Sequence, residues 1–384
     1  MTRPLVRHAL YASPLFREAL GAIPGLLALA FLDMRRILAS MDTQHALNTF
    51  YLEEPPAPAC TAGSGVVGRF APSPSGRMHL GNVFASLVAW LSARKAGGRV
   101  VLRIEDLDPR TQSGPWAELL IDDLRWLGLT WDEGPLYQHN RLEAYQNALD
   151  TLEQAGLLYP CFCSRAELHA ASAPHASDGT PIYAGTCKGM PADEVARRMR
   201  TRQPALRLEV PAADDPRGTV AFTDRVFGPQ CEVLAHDCGD FLVRRSDKVF
   251  AYQLAVVVDD AAMGVTEVVR GCDLLSSTER QMYLQHLLDL PTPAYAHIPL
   301  LLAADGRRLS KRDHDLDMGS LRSALGTPER LLGRLAGWTG IAPDTRPRSA
   351  EELVACFSWD AVRAHRDNLC IDIQRFMEGA GPAA

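Results

Sequence analysis

Two short stretches, far apart in the chain, carry residue types suited to handling phosphate. The first is Arg69-Phe70-Ala71-Pro72-Ser73-Pro74-Ser75-Gly76-Arg77-Met78-His79-Leu80-Gly81-Asn82. It lies between a predicted strand (66–71), ended by Pro72 and Pro74, and a predicted helix (81–96), stopped by Gly97-Gly98. Such a junction falls at the carboxyl edge of a parallel sheet, where ligands bind. The helix N-terminus offers free N–H groups and a positive dipole end to phosphate. Gly81 lets a nucleotide approach the backbone, and His79 can donate to a phosphate oxygen as charge grows there. The second stretch is Arg308-Leu309-Ser310-Lys311-Arg312, preceded by Gly306. A lysine on such a loop, Lys311, can close over a triphosphate and neutralise a leaving pyrophosphate. A third group does other chemistry. Cys161, Cys163 and Cys187 fall within 27 residues of a Gly/Pro/Ser-rich segment. Three thiolates so spaced suit a structural zinc ion, which would supply stability that few apolar residues could. Spacing leaves the fourth ligand open among His169, His175 and Asp178.

Alternating strands and helices must position these groups. Residues 99–104 read as a buried parallel strand, rich in Val, Leu and Ile. Residues 115–127 read as a helix, with Ser113 as its cap and Gly128 beyond its end. Val83, Leu87, Trp90 and Leu91 form one helical stripe, and Leu142, Tyr145, Leu149 and Leu152 another. The pattern predicts an α/β fold: a doubly wound, Rossmann-type parallel sheet with crossover helices.

These strings resemble those of class I aminoacyl-tRNA synthetases. His79-Leu80-Gly81-Asn82 is similar to the HIGH motif, and Arg308–Arg312 to KMSKS, about 230 residues later in the expected order. Arg69 to Gly76 resembles the opening of glutamyl and glutaminyl enzymes. The resemblance implies His79, Asn82, Ser310 and Lys311 as catalytic, with ATP held at His79, Gly81 and Lys311 and Mg²⁺ as counter-charge. It implies a glutamate pocket of Arg69, Phe70, Ala71, Pro72, Ser73, Glu105, Tyr252 and Arg270. There Glu105 takes the ammonium, and the two arginines divide the carboxylates. Without the resemblance, Glu105 would pair with Arg103 or Arg110, and Arg270 with a surface acid. The cysteine segment resembles that of glutamyl-queuosine synthetases, which implies Tyr183 as the fourth zinc ligand. That family places glutamate on queuosine in the anticodon stem-loop of tRNA(Asp).

Five regions follow. Residues 1–64 are an extension of unknown role, with a Pro/Gly-rich end. Residues 65–158 and 241–317 form the two halves of the catalytic domain. Residues 159–240 form an insert, irregular around its cysteines, and 318–384 a short helical ending with no anticodon-binding domain. The missing domain favours the queuosine-directed family over full glutamyl-tRNA synthetases. The longest apolar stretch, Leu20 to Leu32, is interrupted by Pro24 and is too short for a span of about 20 residues. It reads as an appended helix or an over-extended start, with Met41 an alternative initiator. No membrane partner is expected. A charge of −6 excludes a protein coated in basic surface but not a local basic face for RNA. Nine cysteines, an odd number in a long chain, fit a reducing, cytoplasmic setting rather than a disulfide framework. The six outside the zinc set read as small buried hydrophobes.

Overall fold

A computed structural model describes residues 65–164, 166–167, 182–303, 306–307 and 317–382. Strand β1 (Val67–Phe70) is buried on both faces and pairs in parallel with β2 (Arg99–Ile104), which pairs in parallel with β3 (Glu133–Tyr137). Helix α1 (Leu80–Lys95) crosses from β1 to β2. It is apolar nearly all round, and Val83, Phe84, Leu87, Val88 and Ala93 are all buried. The expected single stripe is therefore too narrow: α1 sits between the sheet and helices of the C-terminal region. Gly68 permits its close approach, since a Cβ there would meet the Ala93 Cβ at 3.3 Å. Helix α2 (Trp116–Trp126) begins after Pro115 with no side-chain cap; the Ser113 hydroxyl instead donates to the Arg110 carbonyl at 3.4 Å. Helix α3 (Leu142–Gln154) buries Tyr145, Leu149 and Leu152, whereas Leu142 is its first residue and 52% exposed.

Among the described residues of the stretch expected to be irregular, 159–188, only 159–161 are strand; the sheet lies in the rest of the 159–240 insert and just beyond it. Strands β4 (Leu158–Cys161), β5 (Ala205–Leu208) and β8 (Phe241–Arg244) form an antiparallel sheet. Between them lie α4 (Ala192–Met199), a hairpin of β6 (Thr219–Asp224) and β7 (Gly228–Val233), and the one-turn helix α5 (Leu234–Asp237). The strands are short and carry charged and polar residues, so their alternation is weak in sequence.

The chain then returns to the parallel layer. Helix α6 (Tyr252–Ala262) leads into β9 (Glu267–Gly271), which pairs in parallel with β10 (Ala294–Ile298) across α7 (Thr278–Leu287). The entry to β9 lies beside β1: Thr266 N–H donates to the Val67 carbonyl at 3.0 Å. The connection from β1 thus runs one way to β2 and β3, while β9 and β10 lie on its other side. That divergence is a topological switch point. Beyond it come β11 (Leu301–Ala303), α8 (Met318–Leu325), α9 (Pro328–Trp338), α10 (Ala350–Cys356), α11 (Trp359–Arg363), β12 (Leu369–Ile371) and α12 (Ile373–Glu378). The C-terminal region is not only helical, because β12 pairs in parallel with β11. Its Leu331, Leu335 and Phe376 join the same apolar core as α1. No helix among the described residues is long and apolar enough to cross a membrane.

Candidate active site

The carboxyl ends of β1, β2 and β9 open on a cleft of about 790 Å³. Phe70, Ala71, Pro72 and Ser73 line it where β1 runs out. Proline cannot extend the ladder, and the Pro72 carbonyl instead accepts the Glu105 N–H at 3.0 Å, tying the ends of β1 and β2 together.

Arg69 and Arg270 reach the cleft from neighbouring strands, 6% and 5% exposed. Arg69 donates from Nη1 to the Val269 carbonyl at 2.7 Å. Burial lowers its pKa from the ordinary arginine value, opposed by Asp260 at 3.9 Å. Glu105 follows β2 directly and accepts from Arg103 Nη2 at 3.1 Å. Burial raises its carboxyl above the usual range, with Arg103 and Arg69 acting against that shift. Arg103 is fully buried; it also donates from Nη1 to Asp260 Oδ1 at 2.6 Å and lies 4.0 Å from Asp259. Burial disfavours its charge, but these carboxylates outweigh burial and raise its pKa. Tyr252 starts α6 at the cleft mouth, 37% exposed, its phenol pushed up by burial and by Glu105.

His79 caps α1 at the other end of the cleft. Asn82 turns its side-chain oxygen back to accept the His79 N–H at 3.1 Å, so this residue holds the helix start. A Cβ on Gly81 would meet the His79 ring at 3.1 Å. Ser310 and Lys311 lie outside the described residues, but both flanks of their segment are placed. It leaves β11 through a turn in which Ala303 N–H donates to the Arg307 carbonyl at 2.8 Å. It returns at Asp317, which bridges to His79, while Met318 N–H donates to the Met78 carbonyl at 2.9 Å.

The cleft therefore gathers every described residue that the sequence assigned to nucleotide or amino acid. Two ion-pair expectations resolve differently. Arg110 pairs with Asp108, leaving Glu105 to Arg103. Among the described residues Arg270 meets no surface acid; it donates to His297 Nε2 at 3.0 Å, Gln281 Oε1 at 2.8 Å, Thr278 Oγ1 at 2.8 Å and the Leu274 carbonyl at 3.2 Å. Sequence reading missed Asp260 and His297, and gave Arg103 no more than a pairing with Glu105. Their signal was weak: Asp259-Asp260 close an otherwise apolar Ala255–Val258 run, a place where buried acids need partners.

Residues 65–354 match the family described as tRNA synthetases class I (E and Q), catalytic domain. The chain belongs to this family. This synthetase is 49% identical over 302 residues to a glutamyl-Q tRNA(Asp) synthetase of Nitratidesulfovibrio vulgaris, covering 76% of this chain and 91% of that one. It is 47% identical over 330 residues to a glutamyl-Q tRNA(Asp) synthetase of Symbiobacterium thermophilum, covering 83% and 99%. Among solved structures, a glutamate tRNA ligase from Elizabethkingia meningosepticum in complex with its amino acid superposes with a TM-score of 0.67 at 25% identity, covering 82% of this chain and 68% of that chain.

Away from the cleft, the synthetase gathers Cys161, Cys163 and Cys187, with sulfurs all within 4.8 Å of one another. Cys163 and Cys187 sulfurs are 3.7 Å apart, and the Tyr183 oxygen lies 3.6 Å from Cys161 and 3.7 Å from Cys163. A tetrahedral ion with Zn–S bonds of about 2.3 Å needs edges of roughly 3.7 Å, and the three edges just given have that length, so the cluster could hold a metal ion in such a cage. Arg207 stacks its guanidinium 3.7 Å from the Tyr183 ring centre. The alternatives His169, His175 and Asp178 lie outside the described residues. Of the described cysteines beyond the cage, only Cys238 is buried; Cys231, Cys356 and Cys370 are exposed, and Cys272 is half-buried. Small size alone did not send them to the core.

Proposed function

We propose that this synthetase activates L-glutamate with ATP and transfers the glutamyl group to queuosine in the anticodon of tRNA(Asp). One observation carries the reading. Two buried guanidinium groups, one carboxylate and a helix N-terminus converge in a single cleft, in a chain that matches glutamyl-Q tRNA(Asp) synthetases over nearly their whole length.

Arg69 and Arg270 divide the two carboxylates of glutamate, and Glu105 takes its ammonium. Ser73 and Tyr252 add polar contacts at the mouth. Glu105 must be ionised for this, and Arg103 supports that state against burial. An α-carboxylate oxygen attacks the α-phosphorus of ATP, and the bond to pyrophosphate breaks. His79 and the α1 N-terminus steady the phosphates, Lys311, next to Ser310 in sequence, neutralises the leaving pyrophosphate, and Mg²⁺ would supply counter-charge. A queuosine hydroxyl then attacks the acyl carbon, AMP leaves, and the ester remains on the RNA. Cys161, Cys163, Cys187 and Tyr183 hold a structural zinc ion that braces the start of the 159–240 insert. The RNA partner implies a cytoplasmic enzyme.

The test uses labelled glutamate, ATP and tRNA from cells with and without queuosine. Label should enter only the queuosine-containing pool. Equal labelling of both pools, or loading of the 3′ adenosine of tRNA(Glu), would refute the proposal.

A further inference from the structure

Arg270 is held by a buried chain that begins outside the parallel layer. Asp224 ends β6 in the insert hairpin and is 2% exposed. Its Oδ1 accepts the Val226 and Phe227 N–H groups at 2.9 Å each, which locks the carboxylate in the turn. Its Oδ2 accepts the His297 N–H at 3.0 Å and faces His297 Nδ1 at 2.7 Å. His297, on β10, is fully buried. Its Nε2 receives the Arg270 Nε–H at 3.0 Å.

Hydrogen-bond polarity along this chain permits one arrangement. An ionised carboxylate only accepts, so Nδ1 carries the proton. An arginine only donates, so Nε2 is the bare nitrogen. Protonating Nε2 would set donor against donor and place a second cation beside Arg270 without water. Burial and Arg270 both disfavour the charged imidazole, against the pull of Asp224. Gln281 takes an Nη1–H at 2.8 Å, while Thr278 Oγ1 at 2.8 Å and the Leu274 carbonyl at 3.2 Å take the Nη2 hydrogens; the Thr278 hydroxyl also lies 3.3 Å from His297 Nε2, where it can only donate to the bare nitrogen.

We infer that Asp224 and His297 are positioning residues for glutamate: they hold a neutral imidazole of one tautomer that aims Arg270 into the cleft. The inference rests on Arg270 binding a glutamate carboxylate. It gives the insert hairpin a part in amino-acid recognition: four of the five guanidinium N–H groups are engaged, and the plane of the guanidinium decides whether the remaining one, on Nη1, meets a carboxylate.

Glutamate-dependent ATP–pyrophosphate exchange on the full chain tests it. Arg270→Gln checks the underlying reading: an unchanged KM for glutamate would remove the ligand role itself. His297→Gln keeps an acceptor near Arg270, and His297→Leu removes it. The glutamate KM should rise less than about 5-fold in the first and about 30-fold or more in the second, with the ATP KM within about 2-fold in both. Equal losses in the two variants, or glutamate and ATP constants rising together, would overturn the inference while leaving Arg270 in place. Asp224→Asn is a second route should His297→Leu not fold. An amide NH₂ facing Nδ1 favours the other tautomer and turns Nε2–H onto Arg270. A glutamate KM raised about 10-fold at constant ATP KM supports the chain, and an unchanged one refutes it.

Discussion

Arg103→Met removes the one cation among the described residues that pairs with Glu105, Asp260 and Asp259 together. The guanidinium is fully buried, 2.6 Å from Asp260 and 3.1 Å from Glu105, and joins β2 to α6. Methionine matches its stem, so little cavity forms and the loss is electrostatic. Stripping one partner from a buried ion pair costs about 3–5 kcal/mol, because the remaining charge stays desolvated. Asp259 is spared in part, since Arg141, Tyr145 and Gln138 also bind it. Glu105 and Asp260 carry most of the deficit, with Arg69, 3.9 Å from Asp260, left as the nearby cation. With an unfolding entropy of about 2.1 cal/mol/K per residue over roughly 300 residues, the melting temperature should fall by about 5–8 °C. The sign with pH is also set. A carboxyl whose folded pKa lies above its unfolded value stabilises the fold below that unfolded value, and this is lost as pH rises through the folded pKa. Glu105 is already raised in the parent chain, and losing Arg103 raises it further. The gap between parent and variant should therefore widen from pH 5 to pH 8. Thermal melts at both pH values, with glutamate-dependent pyrophosphate exchange, measure this. A loss under about 1 kcal/mol at pH 8, or a gap that narrows as pH rises, would refute the reasoning about the buried network.

Three further outcomes are expected. Glu279, 1% exposed at the start of α7, is pushed up to about 7 by burial. Its ionisation destabilises the fold progressively above about pH 4.5, so Glu279→Gln should gain on the parent chain by up to roughly 3 kcal/mol between pH 5 and pH 8; a constant difference in melting temperature would exclude this. Lys311→Ala should lower the rate of adenylate formation by about 100-fold or more while glutamate affinity by calorimetry changes little; comparable losses of both would contradict a transition-state role. Cys163→Ser should release zinc, read by elemental analysis, and loosen the 159–240 insert, read by proteolysis; unchanged zinc content would refute the cage.

The catalytic half of the fold was legible because its physics is local. The 99–104 strand is a run of buried β-formers, and residues 80–95 carry apolar side chains with glycines just beyond. The phosphate-facing turn is a contiguous string whose prolines and glycines dictate one path. Those features pointed to the cleft from Arg69 to Asn82 and set Glu105 at the same sheet edge, whereas Arg270 was assigned only by resemblance to glutamyl-type synthetases. The antiparallel insert was opaque, since four-residue strands such as Ala205–Leu208 gain their partners from segments dozens of residues away. Tertiary structure alone decided what surrounds the charges. Arg103 was one of two candidates for Glu105, and nothing in its own segment points to Asp260, 157 residues on. Nor does any local pattern join Asp224 to His297, 73 residues apart, or His297 to Arg270. Residue type determines which groups can donate, accept or ionise. Which of them are stripped of water together, and so bound to satisfy one another, is decided only when the sheet and hairpin close over them.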